Sequence, residues 1–259
     1  MGAGRRSLAG CRVLVARAPS RATAWIDALA ARGAEGVARE IFTLESMVGE
    51  ARAQRSIDRI DRWDWILLTS QSGLRFFDQG LRSRSLRLDE LPARFGVVGP
   101  QTAKLLEERG RAPDAIAEPP NGLGLASVLA SEVAAGDSIL IVTPEQSRQG
   151  LAERLAELGA DVHPVPFYRN RPAAGLASVA TELSARRFDA AVFGSPSSFS
   201  HLFAACGDAA TRSFDPIALV AIGATTAESI REHGYDVAAV AAEPTPEGIA
   251  EAVDAALSR

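Results

Sequence analysis

Six short stretches of this sequence concentrate hydroxyls, amides and small side chains. They are "ARAPSRA" (16–22), "TSQS" (69–72), "GPQT" (99–102), "TPEQSR" (143–148), "GSPSS" (194–198) and "GATT" (223–226). Acids and histidines are scarce in them. Hydroxyls beside free helix N–H groups suit carboxylates or phosphates without many cationic side chains. The candidate binding residues are Thr69, Ser70, Ser72, Thr102, Ser195, Ser197, Thr225 and Thr226. A structural role competes at each, because Ser and Thr are preferred helix N-caps. Thr225 and Glu228 form the T-x-x-E capping-box pattern, and Ser195 precedes Pro196, so both read as caps. Ser197 is then the freer hydroxyl. Thr102 and Thr226 sit one position inside, where no cap is required, and for them capping and binding both stay open.

Other chemistry is missing. The chain has no G-x-x-x-x-G-K-[ST] phosphate loop, no H-E-x-x-H zinc motif and no G-x-S-x-G elbow. "GLGLAS" (122–127) holds a G-x-G without a third glycine and reads as a turn. His163, His201 and His233 are scattered without metal-ligand spacing, and His233 falls in a last helical turn, where an imidazolium suits the dipole. No metal, nucleotide or covalent nucleophile is expected. One further residue stands out. Tyr168, one of two tyrosines, lies in "PVPFYRNRP" (164–172), after an apolar proline-spaced run and before two arginines.

The elements that must hold these turns are legible as apolar runs. "RVLVA", "WILLT", "FGVVG", "DAIAE", "SILIVT", "AAVFG", "ALVAIG" and "DVAAVAA" read as buried parallel strands. Helices of about three turns lie between them, ending at Gly110, Gly159 and Gly234. Alternating βα units predict parallel sheets flanked by helices, with ligands beyond the carboxyl ends of the strands. The chain also repeats itself. "VVGPQTAKLLEERG" (97–110) matches "AIGATTAESIREHG" (221–234) at an offset of 124, with Thr102 on Thr226. "DWILLTSQSGLRFF" (64–77) matches "DAAVFGSPSSFSHL" (189–202) at 125, with Ser70 on Ser195 and Ser72 on Ser197. "VLVARAPSRATAWIDALAARGA" (13–34) matches "ILIVTPEQSRQGLAERLAELGA" (139–160) at 126. "REIFTLE" (39–45) and "VPVPFYRNRP" are the repeat-equivalent linkers. Phe167 falls on Phe42, but Tyr168 falls on Thr43, so the phenol breaks the symmetry.

The 259 residues, 47% hydrophobic and 23% charged, fit two soluble domains. A net charge of −4 argues against a nucleic-acid surface. No apolar run reaches the length of a membrane span, no signal peptide is expected at "MGAGRRSLAG", and Cys11 and Cys206 form no disulfide framework. A reducing cytoplasm follows as the expectation.

Over nearly its whole length the chain resembles the uroporphyrinogen-III synthase family. The carriers are "VLVAR", "ILLTSQSGLRFF", "VVGPQTAKLLEERG", "SRQGLAERLAELGADVHPVPFYR", "FDAAVFGSPSSFSHLF" and "AIGATTAESIREHGYDVAAVAAEPTPEGIAEAV" in this order. The family departs from this chain in commonly having Thr-Arg where Ala16-Arg17 stands, and more glycine at 143–148. The resemblance implies two flavodoxin- or Rossmann-like α/β domains with parallel sheets, joined by a two-stranded linker. One would be residues 1–40 plus 171–259, the other 45–166, with 41–44 and 167–170 as linker strands. It implies cyclisation of hydroxymethylbilane with loss of water and inversion of the terminal pyrrole, a carbon–oxygen lyase reaction on the route to haem, sirohaem and cobalamin. It implies no cofactor, Tyr168 as proton donor, and Arg17 and Arg148 beside the hydroxyls as substrate-binding residues. A cytoplasmic monomer is expected, without nucleic-acid or membrane partners, and with at most transient contact with the preceding or following pathway enzyme. A non-catalytic tetrapyrrole-binding or regulatory protein on the same scaffold is the alternative. A solute-binding protein fits less well, for want of an aromatic sandwich and a signal peptide.

Overall fold

The structure, a computed structural model, describes residues 8–147 and 150–258. In chain order the elements are β1 (Arg12–Ala16), α1 (Pro19–Ala31), β2 (Glu35–Ala38), β3 (Phe42–Ser46), α2 (Ala51–Asp58), β4 (Trp65–Leu68) and α3 (Gln71–Arg82). There follow β5 (Arg94–Val97), α4 (Pro100–Glu107), β6 (Ala115–Ile116), α5 (Gly122–Leu129), β7 (Ser138–Pro144), α6 (Gly150–Glu157) and β8 (Asp161–Pro172). The last part holds α7 (Leu176–Ser184), β9 (Ala190–Phe193), α8 (Pro196–Cys206), α9 (Ala210–Phe214), β10 (Ala218–Ala221), α10 (Ala224–Glu232), β11 (Ala239–Val240) and α11 (Pro246–Leu257).

These elements form two units, one running through Thr43 and resuming at Arg171, the other Leu44–Asn170. In the first unit the sheet order is β11-β10-β9-β1-β2. In the second it is β6-β5-β4-β7-β8-β3. Matched strand by strand, the first five positions are repeat equivalents. Yet β1, from the first half of the chain, sits among strands of the second half, and β7 does the converse. Both unit boundaries fall inside β3 and β8, which are neighbours in one sheet, so the chain crosses between units along two adjacent strands.

The strand runs are apolar on both sides because both faces are covered. In the first unit Leu14, Ala191, Phe193 and Leu219 face a core with α7, α8 and α10. Val13, Val15, Val192 and Val220 alternate with them and face α1 and α11. In the second unit Ile66, Leu68, Phe95 and Leu140 meet α2, α3 and α4, whereas Leu67, Ile139 and Ile141 meet α5 and α6. The pairing of β1 with β9 and β2, of β9 with β10, and of β4 with β5 and β7 is parallel and in unbroken register.

One sequence expectation is corrected here. "GLGLAS" is no turn; it forms the first turns of α5. Asn121 caps that helix, its Oδ1 accepting from the Gly124 N–H at 2.8 Å. A Cβ on Gly124 would collide with the Pro119 carbonyl oxygen and come within 2.9 Å of Pro119 N. The glycine therefore serves a close backbone approach inside a helix, against its low helix propensity. The first unit repeats the device 124 residues later. Thr245 caps α11 through the Gly248 N–H at 3.1 Å, and a Cβ on Gly248 would collide with the Glu243 carbonyl oxygen.

Candidate functional site

In each unit the hydroxyl-rich turns lie at the carboxyl ends of the parallel strands, where helix N-termini leave backbone N–H groups without intrahelical partners. In the second unit α3 follows β4, α4 follows β5 and α5 follows β6. Ser70 is the N-cap of α3, and its Oγ accepts from the Gly73 N–H at 2.9 Å. The same Oγ lies 3.0 Å from the Tyr168 hydroxyl. Either hydroxyl can donate in this bond. With Ser70 as the donor, the phenol proton is directed elsewhere.

Tyr168 reaches this position through an irregularity in β8. Residues Ser138 to Thr143 of β7 pair in register with Asp161 to Pro166, but Pro144 then pairs with Tyr168, skipping Phe167. Such a bulge re-aims side chains that alternation would send to opposite faces. Accordingly Phe167 meets Phe77 edge-on at 5.4 Å and Tyr168 stacks on Phe76 at 5.4 Å and 18°, so adjacent residues pack on adjacent residues of one helix. Only 7% of Tyr168 is exposed. Burial pushes its phenol above the ordinary value, partly opposed by the Ser70 hydrogen bond. The group is thus a neutral donor at neutral pH.

The remaining candidates divide by what their oxygens already do. Thr69 Oγ1 donates to the Val142 carbonyl at 3.0 Å, tying the turn to β7. Ser72 is half-buried in the first turn of α3. Thr102 lies in the first turn of α4, behind an N-cap, Gly99, that has no side chain to cap with. Its side chain is buried, 3% exposed, yet its hydroxyl makes no hydrogen bond among the described residues. Arg148 lies outside the described residues.

In the first unit Ser195 caps α8 through a reciprocal box with Ser198, as its place before Pro196 predicts. Ser197 is half-buried one residue beyond Pro196, and its carbonyl meets His201 Nδ1 at 2.8 Å. The cap reading of Thr225 is corrected: the N-cap of α10 is Gly223, and Thr225 is an exposed residue of the first turn. Extended backbone at Gly223 starts the helix two residues earlier than the T-x-x-E pattern implies. Thr226 repeats Thr102, 3% exposed and without a hydrogen bond to its hydroxyl among the described residues. Arg17 follows β1 with its guanidinium 4.4 Å from the Trp25 ring, and burial, then Arg21, lowers its pKa. Sequence reasoning missed Trp25 and Phe76 as supports, and Asn121 and Thr245 as caps at the same rims. The 124-residue offset of the two caps was the available signal.

Among the described residues no cluster of three or more His, Cys, Asp or Glu side chains could hold a metal, and no helix is long and apolar enough to cross a membrane.

Comparison with known proteins gives a consistent result. The family model described as HEM4, uroporphyrinogen-III synthase HemD, matches residues 12–251. A Methanothermobacter thermautotrophicus protein with a provisional uroporphyrinogen-III synthase name is 28% identical over 229 residues, covering 85% of this chain and 88% of its own length. A porphyrin biosynthesis protein HemD of Ruminiclostridium josui is 28% identical over 165 residues, 63% of this chain but only 33% of that longer protein. The crystal structure of a mutant uroporphyrinogen III synthase from the extremely thermophilic bacterium Thermus thermophilus superposes with a TM-score of 0.75 at 22% identity, over 96% of this chain and 99% of that one. This last likeness speaks for the fold.

Proposed function

The chain belongs to the uroporphyrinogen-III synthase family, and on that premise we propose that it cyclises hydroxymethylbilane with loss of water and inversion of the terminal pyrrole. The observation that carries the catalytic part is the hydrogen bond between Tyr168 Oη and Ser70 Oγ at the start of α3. Ser70 donates to the phenol oxygen, and the phenol donates to the departing hydroxyl of the bilane, which leaves as water. Ring closure, through a spirocyclic intermediate, returns a proton, so the donor is restored. A phenol is protonated across the neutral range, as a general acid requires, and burial raises its pKa further.

The bilane closes unaided to the uninverted isomer, so the protein's contribution is chiefly positioning. Within each unit the helix N-termini and the hydroxyls of Thr102 or Thr226, unpaired among the described residues, serve as docking points for the acetate and propionate arms. Thr225, Ser72 and Arg17 lie on the same rims. Ser195 and Thr69 are spent on local structure, and their part is to hold the turns in shape. The reading needs no cofactor and takes the protein as a cytoplasmic monomer and a carbon–oxygen lyase. The test is direct. Purified protein given freshly generated hydroxymethylbilane should yield the type III isomer. Formation of the type I isomer alone, at the spontaneous rate, rejects the proposal.

A further inference from the structure

The amino end of the second unit's sheet carries a feature the cyclisation does not use. Arg52 and Arg55 lie on α2, Arg59 follows it, and Arg62 closes the short 3-10 turn that continues the path. Spacings of three, four and three keep them on one side, and all four line a cavity of about 350 Å³. The cavity starts at Ser138 and Asp161, the first residues of β7 and β8. The hydroxyl rim lies past Pro144, six residues further along β7, on the order of 20 Å away at strand rise.

The local carboxylates do not neutralise this cluster. Asp161, the one acid lining the cavity, is 2.9 Å from His163 Nε2. Asp58 is paired with Arg84 at 3.1 Å, and Asp64 accepts the Ser138 N–H at 2.8 Å. Asp61 lies outside the lining. Arg52 donates to the Pro164 carbonyl at 3.0 Å, but the guanidiniums of Arg55, Arg59 and Arg62 have no partner among the described residues. Like charges three and four apart on a helix face repel one another, and an anion covering the stripe relieves that repulsion. The wall is firm. Trp63 Nε1 donates to the Ser56 carbonyl at 2.9 Å, and its ring meets His163 edge-on at 5.1 Å. Guanidiniums match carboxylate and phosphate oxygens two at a time, and a cavity of this volume is of small-molecule size.

We propose that this cavity is a second anion site, which takes a small oligoanion bearing two or more phosphate or carboxylate groups. An acidic protein with net charge −4 thereby presents a positive recess that attracts such a ligand. The test is calorimetric titration of the full chain with tripolyphosphate and, separately, propane-1,2,3-tricarboxylate. One-to-one binding of at least one is expected, and which of them binds decides between phosphate and carboxylate chemistry. Arg55→Ala with Arg59→Ala should weaken it tenfold or more, with unchanged circular dichroism. Arg154→Ala with Arg212→Ala, an equal charge change elsewhere on the surface, should leave it within twofold, as should Tyr168→Phe. Absence of saturable binding to either anion overturns the proposal, as does equal weakening by the two double variants. Neither outcome depends on the isomer assay, so this site and the cyclisation stand or fall separately.

Discussion

Tyr168 combines three properties that single residues seldom share: a buried phenol, a stacked ring and a hydroxyl hydrogen-bonded at a helix start. Tyr168→Phe keeps the stack on Phe76 and removes only the hydroxyl. It should lower stability by about 1 kcal/mol, measured by urea unfolding, and reduce turnover to the type III isomer about 100-fold. Tyr235→Phe, in the ring cluster with Phe199, Phe203 and Phe214, is the control and should change turnover less than twofold. Equal losses would remove Tyr168 from the chemistry. Its raised pKa also sets a pH dependence. The folded state holds the phenol proton more tightly than the unfolded one, so this contribution to stability is complete below pH about 10 and is lost as pH rises through the folded value. The stability gap between the parent protein and Tyr168→Phe should narrow only in that alkaline range. Thr102 and Thr226 give the opposite pattern. With their hydroxyls unpaired among the described residues, Thr→Val at either should leave stability within about 0.5 kcal/mol while weakening substrate binding by about 1 kcal/mol. The hydroxyls were legible as candidates in the sequence. Which were already bonded was not, since Thr69 finds its acceptor 73 residues away.

At the scale of elements, the apolar runs named every strand except β2, β3 and β8, the last two falling in the stretches read as linkers. "EGVA" is short and half-exposed, and it is a strand only because β1 offers a parallel partner from Arg12 to Val15. The same dependence on neighbours explains α5. Two glycines in one helical turn read as a break, and the reason for Gly124 lies in the Pro119 carbonyl that packs against it. Gly124→Ala and Gly248→Ala should each destabilise the unit that carries it by about 1–3 kcal/mol, because backbone must shift to admit the methyl group. Amide exchange should quicken in the sheet of the substituted unit and stay unchanged in the other. Ala tolerated without change at both positions would mean that the backbone relaxes freely there. The β8 bulge belongs to this scale too. Its sequence alternates prolines with apolar residues and predicts a strand, but the slip that turns Phe167 and Tyr168 to one helix arises in pairing with β7.

For the whole molecule, the repeat and the compact units do not coincide. β1 sits between β9 and β2, so an interior strand of the first unit's sheet precedes the second unit in the chain. A fragment of residues 171–258 lacks that strand and leaves one edge of β9 without its ladder. It should not unfold cooperatively. A fragment of residues 42–172 contains all six strands of the other sheet and should show a cooperative thermal transition with near-ultraviolet circular dichroism. A cooperative transition in the shorter fragment would show that β1 is dispensable.

By itself the sequence determined the class of the fold, the twofold repeat, the hydroxyl-rich turns and the oddity of Tyr168. Local propensity and short-range periodicity carry the strands, helices and turns, duplication presents them twice, and Tyr168 stands out because it breaks that duplication. The tertiary structure decided what depends on partners distant in the chain. It set which hydroxyls are occupied, where Gly124 meets Pro119, and how a bulge aims a phenol at Ser70, 98 residues away. It also gathered four arginines of α2 and the turn after it against the starts of β7 and β8. Hydrogen bonds, close contacts and uncompensated charge are properties of juxtaposed groups, and juxtaposition over such separations exists only once the sheets have formed.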